Sequence, residues 1–362
     1  MKELPSKIKQ KLDERKHANA FRVLMDADHL TDFFSNDYLG IAKWSSESHF
    51  NMGSTGSRLI SGNRKRTEEI EAQLAQFFHQ EAGLLFNSGY DANLGLFSSV
   101  PQKGDTVIYD ELIHASIRDG IRIGLASSFS FKHNDIKDIK DKVDRANGHV
   151  YVAVEAIYSM DGDASPLAEI AQICNEKGAF LIVDEAHSGG VFGEKGTGLV
   201  SDLKLDDQVF AKVITFGKAY GSHGAIVFGH NELKDYLVNF ARSLIYTTAL
   251  SPHAQERILE VVLKAADMHE ERKQLFENIR CFKDLLSRSN VELIQSDSPI
   301  QCLLVKGNDD AKKMAERILK SGFAVKAILS PTVPNGKERI RFCLHSYNTE
   351  NEIKELSKLI HV

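Results

Sequence analysis

The sequence is poor in cysteine, proline and tryptophan, and it contains no long hydrophobic run. Its 362 residues include 4 cysteines, 7 prolines and 1 tryptophan. No apolar stretch approaches the roughly 20 residues that a membrane helix needs, so a membrane protein is not expected. The Lys-rich N-terminus has no apolar signal core, and secretion is not expected either. The net charge of −5, without a cluster of lysine or arginine, argues against nucleic acid as a partner.

The four cysteines are widely separated along the chain, at Cys174, Cys281, Cys302 and Cys343. Their spacing does not match a metal-binding motif, and each lies in an apolar or helical context. We therefore expect buried free thiols, a cytoplasmic location and no metal site.

Apolar runs alternate with amphipathic stretches through the middle of the chain. Strands are predicted at 83–86, 106–109, 151–155, 180–184, 212–216 and 225–229. These runs are rich in Val, Ile and Leu rather than strictly alternating, which is typical of strands covered on both faces. Repeated strand–helix units predict an α/β fold with a mostly parallel sheet, whose ligands bind at the carboxyl ends of the strands.

The pattern changes after Pro252, where a long charged helix is predicted at about 256–288. Shorter elements follow, with strands at 291–294, 300–305, 324–328 and 339–344 and helices at 311–321 and 350–360. This succession of short strands and helices indicates a smaller α+β domain. We predict three segments: an N-terminal helix and arm (1–45), a large α/β domain (46–252) and a small C-terminal α+β domain (253–362).

One lysine, Lys218, lies among glycines and alanines just after the apolar run 213–216. A lone lysine in such a loop is most often a surface residue. The run 180–184, however, ends in Asp184 and is followed by His187. A lysine that can form a Schiff base and an acid that can pair with a pyridinium nitrogen are the protein groups that pyridoxal phosphate chemistry needs.

A phosphate site is predicted where the strand at 83–86 turns into a helix. The turn 87–90 contains Ser88 and Gly89, and a helix N-terminus offers free amides and a favourable dipole to an anion. An ordinary strand–helix turn would have the same pattern. The Gly/Ser stretch 53–63 could likewise be a flexible loop or present amides to an anion.

Several long motifs occur in a fixed order: FSNDYLG (34–40), STGSRLISGN (54–63), FNSGYDAN (86–93), DELIHAS (110–116), YSMDGD (158–163), IVDEAHSGG (182–190), TFGKAYGSHGA (215–225), SPTVP (330–334) and RIRFCL (339–344). With these motifs the chain resembles the α-oxoamine synthases, which are fold-type I pyridoxal phosphate enzymes. The resemblance covers nearly the whole chain. It implies a large domain with a mostly parallel sheet and a smaller C-terminal α+β domain.

The resemblance implies a role for each motif residue that would contact the cofactor, pyridoxal 5′-phosphate. Lys218 would bind it covalently and move protons at the substrate Cα, and Asp184 would pair with the pyridine nitrogen. His114 would stack on the ring, and His187 and Ser159 would bond to the phenolic oxygen. The phosphate would be held by Gly89, Tyr90 and Thr215, and by Thr248 of a neighbouring subunit. A homodimer with a shared active site is therefore expected.

The substrate residues implied by the resemblance are Arg22, Asn36, His114, Thr332 and Arg341. Arg341 is suited to a bidentate hold on an amino-acid carboxylate. The implied reaction is a decarboxylative condensation of L-alanine with a pimeloyl thioester, as in biotin biosynthesis. The acyl carrier, coenzyme A or a carrier protein, stays open.

Glycine-using members of the same family, above all 2-amino-3-ketobutyrate–CoA ligase, are the alternative. One departure from the family pattern bears on the acyl group. Leu329 stands before SPTVP, where an arginine is usual, so the acyl-chain preference is open at this position.

Overall fold

The computed structural model describes residues 13–19, 30–41, 44, 53–287, 289 and 291–360. In chain order its strands are β1 Thr31–Asp32, β2 Ala82–Phe86, β3 Thr106–Asp110, β4 Ser127–Phe131, β5 Val150–Glu155, β6 Phe180–Asp184, β7 Ala211–Thr215, β8 Ala225–Gly229, β9 Ile300–Leu304, β10 Phe323–Ala324, β11 Lys326–Ile328 and β12 Arg339–Cys343.

The helices of the described residues are named here in the same way. They are α1 Lys65–Phe77, α2 Gly89–Ser99, α3 Ala115–Ile123, α4 Ile136–Arg145, α5 Leu167–Lys177, α6 Leu199–Asp202, α7 Asn231–Phe240, α8 Arg242–Ile245, α9 Pro252–Asp267, α10 His269–Leu286, α11 Asn308–Lys320 and α12 Glu350–Ile360. A π-helical turn, Arg58–Gly62, precedes α1. Within the described residues, no helix combines the length and apolar character needed to cross a membrane.

The chain divides into two compact units. The larger comprises 37–159 and 164–272; the smaller comprises the described residues before Asp37, residues 160–163 and those after Arg272. This division differs from the predicted boundaries at 45 and 252. Helix α9 belongs to the larger unit because it is bound to α1, with Arg66 paired to Glu256 at 2.7 Å.

The larger unit is built on a seven-stranded sheet with the order β2-β8-β7-β6-β5-β3-β4. The five strands from β7 to β4 pair in parallel, and β8 is antiparallel to both of its neighbours. Alternate residues of β5 enter different cores: Tyr151 and Ala153 lie in one apolar cluster, and Val152 and Val154 in the other. Helices thus cover both faces, which confirms the predicted α/β fold with a mostly parallel sheet.

The smaller unit contains a three-stranded sheet, β11-β12-β9, and the two-stranded pair β1-β10. The three-stranded sheet is antiparallel, and in it Arg341 of β12 lies opposite Cys302 of β9. The described N-terminal residues 13–17 are helical, whereas most of the predicted N-terminal helix lies outside the described residues.

Several predicted elements are corrected by the structure. The single helix predicted at 256–288 is two helices, α9 and α10, which meet at Met268. The strand predicted at 291–294 is reduced to one bridge from Leu293 to Leu303. The strand predicted at 324–328 is divided between β10 and β11, which belong to different sheets. Strand β4 and helix α4 were not predicted.

Candidate active site

The carboxyl ends of four strands converge along one edge of the large sheet. Strands β3, β5, β6 and β7 are parallel and end at Asp110, Glu155, Asp184 and Thr215. Polar residues at this edge are expected to share a site. A cavity of about 220 Å³ lies here, and its lining includes six of the predicted site residues: Gly89, Tyr90, His114, Asp184, Thr215 and Lys218.

Lys218 is positioned by the turn between β7 and β8. Gly221 and Gly224 adopt positive φ angles of 55° and 95°, which glycine accepts without steric cost. Lys218 is partly exposed, and its Nζ lies 2.7 Å from Nε2 of His187. Nδ1 of His187 in turn lies 2.9 Å from the hydroxyl of Tyr38. His187 and Tyr38 are buried, so a continuous polar chain connects the lysine with the protein interior.

Asp184 is held rigidly at the end of β6. Its side chain is buried, one oxygen accepts from Nδ2 of Asn93 at 2.7 Å, and the other accepts from the amide of Ala186 at 2.9 Å. Nδ2 of Asn93 also donates to the hydroxyl of Ser116 at 3.0 Å. Two fixed donors orient the carboxylate, as preorganised electrostatic groups require.

His114 caps the N-terminus of α3. Its Nδ1 accepts from the amide of Ser116 at 3.2 Å, so the neutral ring carries its proton on Nε2. Although the side chain is exposed, surrounding protein desolvates the ring, and this lowers the pKa of His114. Lys218 adds to that effect, while Asp184 opposes it. The ring is therefore expected to be neutral at pH 7.

The start of α2 forms a cradle for an anion. Ser88 caps the helix by accepting from the amide of Asp91 at 3.1 Å, and the first helical residues are Gly89 and Tyr90. A Cβ atom at Gly89 would clash with the methyl group of Thr215, so only glycine allows this close approach. Free amides and the helix dipole both favour a phosphate here.

These groups fit pyridoxal phosphate. The site combines an amine, a buried carboxylate, a neutral imidazole and an amide cradle around one cavity. The buried Oδ1 atom of Asn93 has no hydrogen-bond partner within the described chain, which is a further sign that the cavity receives a bound group.

The other predicted site residues lie elsewhere. Ser159 lies outside the cavity lining as the structure describes it, and its backbone amide lowers the pKa of Glu155. Thr248 is exposed, and its carbonyl accepts from Nδ2 of Asn87 at 2.8 Å. Arg22 lies outside the described residues.

The three remaining substrate candidates belong to the smaller unit. Nη2 of Arg341 donates to Oδ1 of Asn36 at 2.9 Å, so two of the predicted residues are brought together there. Thr332 is exposed, and its amide donates to the carbonyl of Leu329 at 2.9 Å.

The polar residues of the cavity lining that sequence reasoning did not assign to the site include Asn93, Ser116 and Glu155. Asn93 and Ser116 close two of the motifs, but neither shows in the sequence that it would bond to the other or to Asp184. Glu155 ends a predicted strand, and a charged residue at a strand end could have identified it.

The profile of the family described as aminotransferase class I and II matches residues 28–360. The chain belongs to the class I and II aminotransferase family. A curated member from Emericella nidulans, an 8-amino-7-oxononanoate synthase, is 40% identical over 85% of this chain and 80% of its own length.

Solved structures agree with this family assignment. An 8-amino-7-oxononanoate synthase from Francisella tularensis has a TM-score of 0.82 and 29% identity, over 92% of this chain and 97% of that one. A serine palmitoyltransferase variant from S. paucimobilis, solved with a PLP–myriocin aldimine, has a TM-score of 0.91 and 27% identity, over 99% and 98%. The predicted α-oxoamine synthase membership and the fold-type I architecture are thereby confirmed.

Proposed function

We propose that this protein is a pyridoxal phosphate-dependent C-acyltransferase that condenses L-alanine with a pimeloyl thioester. The products are 8-amino-7-oxononanoate, CO2 and the free thiol, as in biotin biosynthesis. The observation that carries the proposal is the contact between Lys218 and His187 at 2.7 Å, in a site whose cavity is also lined by Asp184. The curated relatives with the 8-amino-7-oxononanoate synthase name support the choice of substrates.

Each cofactor contact is assigned to a residue of this chain. Lys218 would hold the cofactor covalently through Nζ, and Asp184 would pair with its pyridine nitrogen. His114 would stack on the ring, and the phenolic oxygen would bond to His187 and Ser159. The amides of Gly89 and Tyr90, with the hydroxyl of Thr215, would bind the phosphate. When bound, pyridoxal phosphate withdraws electrons from the substrate Cα.

Lys218 is the group that moves the proton. Nζ of Lys218, when present as a free amine, would take the proton from the alanine Cα and later return it there. A C–C bond would form between this carbon and the thioester carbonyl as the C–S bond breaks, and the leaving thiolate would take a proton from solvent. The C–CO2 bond then breaks. His187, within 2.7 Å of Nζ, orients the amine for these transfers.

Arg341 and Asn36 would bind the carboxylate of the amino acid. The guanidinium offers a planar pair of donors that matches a carboxylate, and its bond to Asn36 fixes its direction. Arg22, His114 and Thr332 are the further substrate residues that we propose. Leu329 is partly buried and apolar, so it does not supply the charged contact to the terminal carboxylate of a pimeloyl chain that an arginine at this position would supply.

A homodimer with a shared site is part of the proposal. Thr248 is exposed, as are the apolar side chains of Tyr90, Leu112 and Tyr246, of which Tyr246 is 73% exposed. In this proposal the neighbouring subunit covers these side chains. In a dimer, Thr248 would complete the phosphate site of the neighbouring subunit.

Complementation between two inactive variants tests the shared site. In mixed dimers of Lys218→Ala and Thr248→Ala subunits, one site regains both native residues if Thr248 acts across the interface. Activity well above that of either parent is therefore expected. If each subunit uses its own Thr248, the mixed dimers will be no more active than the Thr248→Ala protein.

We propose a cytoplasmic location because the cysteines are free thiols. All four cysteines are free, and three of them are buried. Burial raises the pKa of Cys174 to about 12 and that of Cys302 to about 12. Such thiols are protonated and unreactive, as suits a reducing compartment.

The activity is tested with the purified protein reconstituted with pyridoxal phosphate. L-Alanine with pimeloyl-CoA, or with a pimeloyl carrier protein, is expected to yield 8-amino-7-oxononanoate by mass spectrometry. The comparison pairs are glycine with acetyl-CoA and L-serine with palmitoyl-CoA. Turnover of one of these pairs, without turnover of the alanine pair, would place the protein in another branch of the family.

A further inference from the structure

Glu155 is a buried acid in the cavity that the scheme above does not use. It ends β5, is 3% exposed and lines the same cavity as Asp184 and Lys218. In the parallel pairing of β5 with β6, Glu155 lies directly opposite Asp184. Residues opposite each other in neighbouring strands have side chains on the same face of the sheet. Two carboxyl groups are therefore adjacent at this edge.

The carboxyl group of Glu155 is influenced by two nearby backbone amides. Those of His114 and Ser159 favour its ionised form and lower its pKa, against the larger effect of burial. Its Oε1 atom is buried and has no hydrogen-bond partner among the residues that the structure describes. A buried polar atom in this state costs about 1–3 kcal/mol. Since the residue lines the cavity, a bound molecule can supply the missing partner.

The charges that face Glu155 come from three other segments. Asp184 lies at the end of β6, Lys218 follows β7 and His114 precedes α3; all three line the cavity. Tyr158 is a neighbour on its own segment. Burial, and then the charge of Asp184, raise the pKa of Glu155 to about 8, although Lys218 opposes the shift.

We infer that Glu155 is a neutral carboxylic acid at neutral pH, and that its O–H donates a hydrogen bond to an anionic oxygen of the group bound in the cavity. The donor would be the Oε1 atom, which has no hydrogen-bond partner among the described residues. This inference rests on the proposed function, because it takes the bound group to be the cofactor or its substrate.

The protonation state has a consequence for stability that can be measured without an activity assay. A glutamate in the unfolded chain loses its proton near pH 4.5, whereas the folded protein holds it to about pH 8. Between these values the folded state binds more protons, so raising the pH destabilises it by up to tenfold per pH unit in the folding equilibrium. Above about pH 8 this contribution no longer changes.

The decisive comparison is between the wild-type holoenzyme and Glu155→Gln. Glutamine keeps an acceptor for the two amides and supplies uncharged donors, so the fall in stability from pH 5 to 8 should be smaller than in wild type. The absorption spectrum of the bound cofactor should likewise lose a transition near pH 8. Parallel pH dependences of the two proteins, in both stability and spectrum, would overturn the inference.

Glu185→Gln is the matched control. Glu185 is also buried: its Oε1 atom accepts from Ser188 and from the amide of Val200, both at 2.9 Å, and its Oε2 atom likewise has no hydrogen-bond partner among the described residues. It lies outside the described cavity lining. This variant can shift stability, yet it should leave the cofactor transition near pH 8 in place. Loss of that transition in the control would show that any buried acid produces the effect, and would also overturn the inference.

A measurement on the wild type alone covers the case in which Glu155→Gln does not fold. Infrared difference spectra of holoenzyme labelled with 13C-glutamate, taken between pH 6.5 and 9, should show the loss of a protonated carboxyl stretch. If no protonated carboxyl stretch is present at pH 6.5, Glu155 is ionised throughout this range, against the inference. Neither result depends on turnover, so failure of the alanine and pimeloyl-CoA assay would reject the proposed function separately.

Discussion

Two lysines of the larger unit have opposite surroundings, although one lies on β7 and the other in the turn that follows it. Lys212 is fully buried and donates to Asp206 at 2.7 Å and to Ser201 and the carbonyl of Phe78 at 3.1 Å. Lys218 is partly exposed, lines a cavity and contacts His187 at 2.7 Å. The first is held inside the protein by a carboxylate, whereas the second borders a cavity.

The difference follows from the position of each residue on the strand. Lys212 lies near the start of β7, where Ser201 and Asp206 from the preceding segment cover it. Lys218 lies beyond the carboxyl end, which is the edge where α/β sheets bind their ligands. We therefore expect a structural role for Lys212, which is buried against a carboxylate, and a chemical role for Lys218, which borders the cavity next to an imidazole.

The largest effect is expected from Lys218→Ala. This change removes both the covalent attachment and the proton-transfer group, so turnover should fall by more than about 10⁴-fold. Stability should change little, because the side chain is partly exposed. The measurements are the rate with L-alanine and pimeloyl-CoA and the denaturation midpoint of the apoprotein. Near-normal turnover would rule out the role of Lys218 in the proposed chemistry.

The second-largest effect is expected from a change at the other lysine, Lys212. Lys212→Met removes the cation that faces Asp206 at 2.7 Å and Glu185 at 4.0 Å. Breaking a buried pair on one side costs about 3–5 kcal/mol, because a carboxylate stays buried without its cation. Urea denaturation should show this loss, while kcat of the folded protein changes little. A stable variant with greatly reduced kcat would mean that the contrast between the two lysines is wrong.

Much of the larger unit could be predicted from the sequence, because buried parallel strands leave continuous apolar runs. Strand β4 escaped prediction since its sequence, SSFSF, is exposed along most of its length, and an edge strand need not be apolar. In the smaller unit the strand at 324–328 was wrongly joined. Its two halves pair with different partners, and pairing depends on the tertiary structure.

In the candidate site, too, the features that depend on tertiary structure could not be predicted from the sequence. Motifs identified Lys218, Asp184 and His187, and the structure places Lys218 and Asp184 around one cavity and His187 against the lysine. The motifs could not show that Glu155 lies opposite Asp184, since register between two strands is a property of the sheet. The roles of the individual residues remain predictions for mutagenesis.

Asp184→Asn tests the carboxylate that lines the same cavity as Lys218. Asparagine has nearly the same shape but no charge to support the protonated ring, so kcat should fall by about 10²–10³-fold. Cofactor affinity should change much less, because the covalent attachment and the phosphate cradle remain. Asp206→Asn, which changes the partner of the buried Lys212, is the matched control. Its stability should fall and its kcat should stay unchanged. A wild-type kcat for Asp184→Asn would contradict the pyridinium pairing.

The smallest effect is expected at the end of the polar chain that orients Lys218. Tyr38→Phe removes the hydroxyl that lies 2.9 Å from Nδ1 of His187. A hydrogen bond of this kind contributes about 0.5–1.5 kcal/mol, so kcat should fall roughly two- to tenfold. Tyr220→Phe is the control, because Tyr220 is equally buried and donates to the carbonyl of Gly196 at 2.9 Å. Equal changes in kcat for the two variants would mean that the hydroxyl of Tyr38 stabilises the fold without orienting the lysine.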